Sequence, residues 1–146
     1  MFKISQGLQT ALLTAIGTAL NGNMLMKIYS GAVPVNAHSD LGSAVLLRTV
    51  SVNSTGAGLN FEATPVGGML VKSTSQVWAG PNVATGLASF YRIALSSDTG
   101  IASTTALRLQ GSVGLLDADL ILGSTSLVIG VTDPPIGIFA VGLPTE

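Results

Sequence analysis

From Met24 onward the chain is cut into short runs of β-branched and apolar residues, broken about every ten residues by Gly, Pro, Asn, Asp or Ser. That rhythm leaves no room for a second long helix and calls for strands joined by turns. The runs fall at residues 24–30, 44–53, 59–63, 69–72, 76–79, 87–95, 107–113, 119–122, 127–131 and 136–143. Turn chemistry separates them at Asn53-Ser54-Thr55-Gly56, Val66-Gly67-Gly68, Ser97-Asp98-Thr99-Gly100 and Thr132-Asp133-Pro134-Pro135. In Leu107-Arg108-Leu109-Gln110-Gly111-Ser112-Val113 the faces separate cleanly, with Arg108, Gln110 and Ser112 on the polar side. Segment 136–143 is apolar at both parities, so both of its faces are expected to be covered. About eight to ten strands of this spacing suit an all-β fold, an antiparallel β-sandwich of jelly-roll or immunoglobulin-like type.

Ahead of the strands, Leu8, Ala11, Leu12, Ala15, Ile16, Ala19 and Leu20 recur at intervals of three and four, which predicts one amphipathic helix over residues 5–20. Ser5 supplies an N-cap, and Asn21-Gly22 supplies the left-handed residue that ends it. Gly7 and Gly17 each weaken the helix by up to ~1 kcal/mol relative to Ala, so it needs a partner surface. The length suits one domain overall, with residues 1–22 as its helical segment and 23–146 as the sandwich.

Charge is scarce: 6 Lys+Arg and 7 Asp+Glu make 9% of the 146 residues, against about 25% in an ordinary soluble domain. The exterior must therefore be small and neutral, or covered by another chain. The basic residues are scattered singly, which argues against nucleic acid as a partner. Mean hydropathy is high at +0.61, yet the uncharged run 4–26 is punctuated by Gln, Thr and Asn. Its apolar part is shorter than the ~20 residues a bilayer span requires. The same polar interruptions argue against a signal peptide.

Chemistry-bearing constellations are thin. There is no cysteine and His38 is the single imidazole, so neither disulfides nor Cys/His metal clusters are available. His38, Ser39 and Asp40 sit together in a loop, but adjacency does not build a triad, and no Gly-x-Ser-x-Gly occurs. Asp117 and Asp119 read as a turn residue and the lead into an edge strand. The glycines at 56–58 and 67–68 lack the Lys and the following helix of a phosphate loop. No enzyme activity and no cofactor is expected. Residues 31–43 form the longest stretch without strand pattern and are a candidate contact arm. Trp78 reads as an anchor in the core or at its rim, and Phe90-Tyr91-Arg92 as a strand with Tyr91 opposite its neighbours.

Several segments in order resemble a group of small proteins encoded among the virion genes of tailed bacteriophages and prophages. They are residues 5–20, 26–34, 46–52 and 58–61, then Val77-Trp78-Ala79-Gly80, Phe90-Tyr91-Arg92, Leu109-Gln110-Gly111-Ser112-Val113-Gly114 and Ala118-Asp119-Leu120. The chain departs from that pattern at Leu115-Leu116-Asp117 and at 136–139. The resemblance implies a non-enzymatic virion structural protein of mainly β architecture, assembled in the host cytoplasm. Its first expectation is a head decoration or cement protein, with the major capsid protein and sister subunits as partners. Alternatives are a neck, tail or baseplate adaptor, and a surface carbohydrate-binding module with Trp78 and Tyr91 as stacking platforms. Candidate interface residues are Leu8, Leu12, Ile16 and Leu20 on the helix, Trp78 and Tyr91, and Ile138 and Phe139 near the C-terminus.

Overall fold

The computed structural model describes residues 2–143. Helix α1 (Gln6–Leu20) begins at the expected cap, where the Ser5 hydroxyl accepts the Leu8 backbone N–H at 3.2 Å and satisfies one of the free donors of the first turn. It ends at Asn21, whose N–H reaches the Gly17 carbonyl, and Gly22 at φ 86° redirects the chain. The Asn21 side chain then ties the helix end to the body, accepting from Phe61 N–H and donating to Phe61 C=O.

The face that α1 buries differs from the stripe read in the sequence. Leu13, Gly17 and Leu20 are buried and Ile16 is half-buried, whereas Leu8, Ala11, Leu12, Ala15 and Ala19 point outward. Gly17 lies at the contact: its Cα faces Leu70, whose Cδ1 would meet an added Cβ at 3.4 Å, where the helix packs against β3 (Met69–Val71). This helix is apolar around most of its circumference, and packing selects the face that permits the closest approach.

The strands do not divide into the two antiparallel sheets of the expected sandwich. The fold is mixed α/β: the N-terminal helix and a curled, open six-stranded sheet, a half-barrel. The sheet contains β1 (Met24–Ser30), β2 (Val45–Val52), β4 (Trp78–Ala79), β6 (Phe90–Leu95), β7 (Arg108–Gly114) and β8 (Leu120–Ile121), in the order β4-β2-β1-β6-β7-β8. Two ribbons accompany it, β3 with β10 (Ala140–Gly142) and β5 (Gly86–Leu87) with β9 (Ser126–Leu127). One pair is parallel: β7 and β8 run side by side with Val113 opposite Leu120, although parallel neighbours ordinarily need a crossover of about a dozen residues or more. The short return is held by Asp117, left-handed at φ 50°, and by Asp119, whose carboxylate accepts Ser112 N–H and Oγ–H, both at 2.8 Å.

Register assigns each side chain to one of two faces. Met24, Met26 and Ile28 of β1 lie opposite Leu95, Ile93 and Tyr91 of β6, and with Val50, Trp78 and the helix residues Leu13 and Leu20 they form one hydrophobic cluster. Helix and strands thus share a core. On the other face lie Lys27, Tyr29, Phe90, Arg92, Arg108 and Gln110, where Tyr29 and Phe90 stack with centroids 5.0 Å apart.

Candidate functional site

The candidate interface residues part company in the folded chain. Trp78 is fully buried, Tyr91, Phe139 and Leu20 are nearly so, and Ile16 is half-buried; Leu8, Leu12 and Ile138 remain exposed, Ile138 at 89%. The aromatics go inside because they complete one another. Phe61, Trp78, Tyr91 and Phe139 form a cluster in which Trp78 lies 5.9 Å from both Phe61 and Phe139, and Tyr91 meets Phe139 edge-on at 5.4 Å. The Trp78 indole N–H donates to Gln76 Oε1 at 3.0 Å, and Lys72 Nζ stands 5.8 Å from the ring centroid, so the ring's polar edge is satisfied without water. Burial pushes the Tyr91 phenol up to about 12. A stacking platform for sugar at Trp78 and Tyr91 is therefore not on the surface.

The expected cover over both faces of 136–143 is also only partial. Ile136 and Phe139 are buried, Ile136 bridging to Trp78 and residues 140–142 pairing with β3, but the intervening Gly137-Ile138 stands out from the body. Beside Ile138 runs a cleft of about 860 Å³ between segments 118–124 and 133–140. Edge strand β8 and Leu122 contribute one wall, and Ile121 is 58% exposed at its rim. The charged side chains around this cleft each already hold a partner within the protein. Arg48, fully buried, donates from Nε to Gly80 C=O and from Nη2 to the Asp133 and Pro134 carbonyls; burial lowers its affinity for a proton and Asp133 opposes that. Asp133 itself accepts from the Asn82 amide, and Asp119 is held by Ser112. What the cleft offers a visitor is aliphatic surface and a strand edge.

The long segment 31–43 is not a free arm. It lies over the polar face of the sheet, held by its carbonyls: Gln110 Nε2 donates to Pro34 C=O, Arg108 Nη1 to Ala37 C=O and Arg92 Nη2 to Ser39 C=O, at 2.9–3.2 Å. Ser103 N–H donates to His38 C=O, while the His38 side chain is exposed. Beneath this cover sits an ion pair that the sequence did not signal. Arg108 Nε donates to Asp98 Oδ2 at 2.6 Å and Nη2 to Oδ1 at 2.8 Å, with side chains 2% and 8% exposed. The Arg108 hydrogen bonds hold the Asp98 carboxyl below its usual range. Of the other carboxylates considered, Asp40 binds Gly42 N–H and Glu62 binds Thr74. Among the described residues no three His, Asp or Glu side chains gather closely enough to hold a metal ion, and no helix is long and apolar enough to cross a membrane.

The arrangement inverts the usual distribution. All three arginine side chains are interior, while the large apolar side chains left exposed outnumber the chain's charged residues. No protein-family model matches the chain, and neither curated protein sequences nor solved structures show a similar protein.

Proposed function

We propose that this protein is a non-enzymatic structural subunit of a bacteriophage particle, a capsid decoration or cement protein that packs in many copies against the major capsid protein and its own sister copies. The observation that carries this reading is the unpartnered apolar exterior: the outward helix face with Leu8 and Leu12, and the cleft rimmed by Ile121 and Ile138. A monomer that keeps its arginines inside and its aliphatics outside has little charge to hold copies apart. Contiguous apolar surface of this kind marks a contact with another chain. Burying Leu8, Leu12 and Ile138 would recover about 3 kcal/mol before association costs. A subunit that binds only the assembled shell stabilises it by mass action.

The resemblance of the ordered sequence segments to small phage virion proteins points to the same assignment. A two-layered plan related to the expected β-sandwich belongs to this proposal as well, with α1 and the β3/β10 ribbon acting as the second layer over the half-barrel. A cleft of aliphatic surface and strand edge, with Arg48, Asp133 and Asp119 already engaged by neighbouring residues, favours a protein partner over a polar small molecule. The test is immunogold electron microscopy of purified particles carrying this chain. Label spread over the head supports decoration; label confined to the neck, tail or baseplate replaces it with the adaptor reading; unlabelled particles overturn both.

A further inference from the structure

On the polar face of the sheet, Lys27 of β1 lies directly opposite Arg92 of β6, the position in which like charges destabilise an antiparallel pair. Neither cation has a carboxylate partner. Arg92, 3% exposed, spends Nε and Nη2 on Gln110 Oε1 and Nη2 again on Ser39 C=O, all neutral acceptors. Its Nη1 is buried without any partner, and the side chain of the half-buried Lys27 makes no hydrogen bond or ion pair among the described residues. A cavity of about 30 Å³ opens between them, walled by Lys27, Tyr29, Arg92, Asp98, Thr99 and Gly100. Asp98 does not cancel the excess charge, because both of its oxygens already hold Arg108 and one also accepts Gly100 N–H.

We propose that this cavity is a binding site for one small monovalent anion of halide size. A halide held between the two facing cations would meet the orphaned buried Nη1 and offset the like charge that a water molecule leaves opposed. The volume suits one particle about the size of a water, which favours a halide over phosphate, sulfate or a carboxylate attached to a larger body. Bound there, the anion bridges β1 and β6 to the 98–100 turn and closes the cover over the polar face.

Bromide is the probe. Thermal unfolding of the full chain in sodium bromide is compared with sodium gluconate at equal ionic strength, the gluconate anion being too large to enter. The midpoint is expected to rise saturably with bromide, by about 3 °C at a few times the dissociation constant. Lys27→Gln, which keeps the strand and removes one cation, is expected to lose that increment while remaining folded. Crystals in bromide are expected to show an anomalous peak between Lys27 Nζ and Arg92 Nη1. An equal bromide response in Lys27→Gln, no response in the natural chain, or water alone in the cavity overturns the proposal.

Discussion

On one face of the half-barrel, Met24, Met26, Ile28 and Ile93 pack without polar atoms against the Trp78–Phe139 cluster; on the other, Arg92, Arg108 and Gln110 are roofed by the carbonyls of residues 34–39. The first face is closed by shape and the second by directed hydrogen bonds. Apolar packing is non-directional and grows with area, whereas a buried guanidinium stabilises only while its acceptors stay in place. The two closures should therefore fail differently.

The largest loss is expected from Trp78→Ala, which opens the aromatic cluster and should cost about 3–5 kcal/mol, read by urea unfolding. Its effect should not depend on pH between 5 and 8, because the aromatic cluster holds no carboxylate or histidine.

Asp98→Asn is expected to cost about 3 kcal/mol by leaving Arg108 buried without its counter-charge. Here pH does matter. The Asp98 carboxyl titrates below its unfolded value, so its stabilisation is complete above about pH 4 and is lost as pH falls through the folded value. The gap between the natural chain and Asp98→Asn should close in acid. A gap that persists would mean that the pair contributes shape and not charge.

Gly111→Ala tests the apolar face at its neighbouring strand. Gly111 lies opposite Tyr91 in β6–β7, and an added Cβ would stand 2.7 Å from the Tyr91 hydroxyl and 2.8 Å from its ring. The ring is wedged against Phe139 and cannot simply swing away. A loss of about 1–3 kcal/mol is expected, with near-ultraviolet circular dichroism reporting the displaced tyrosine. The smallest effect on stability belongs to Leu12→Gln on the outward helix face, within about 0.5 kcal/mol. The same change should weaken self-association in sedimentation at micromolar concentration, and unchanged association would remove that face from the docking surface.

The parts of this fold that depend on neighbours in the chain could be read from the sequence. Ser5, Asn21 and Gly22 delimit α1, and β1 matches its run residue for residue. The polar side of β7 was equally visible in Arg108, Gln110 and Ser112, although what covers it was not. Contacts between distant residues escaped. Nothing local tells the helix to bury Leu13 and Gly17 when Leu8 and Leu12 form an equally apolar stripe; the buried face meets residues far away in the chain, Leu70 standing 53 residues beyond Gly17. The Asp98–Arg108 pair left no signal, since each residue reads alone as a turn former and a solvated strand residue. Trp78, Tyr91 and Phe139 were equally good as contacts or as core until the chain brought them together. The parallel β7–β8 pair could not be foreseen, because its hook rests on a left-handed Asp117 and a side-chain brace from Asp119.

The roof over the polar face is gripped by its main chain. Pro34, Ala37 and Ser39 lend only their carbonyl oxygens to the sheet, while Val33, Val35 and the imidazole of His38 look outward. Those outward positions can be rewritten without loosening the grip, so the chain carries an epitope that evolution or an engineer can retune while the scaffold beneath it stays the same.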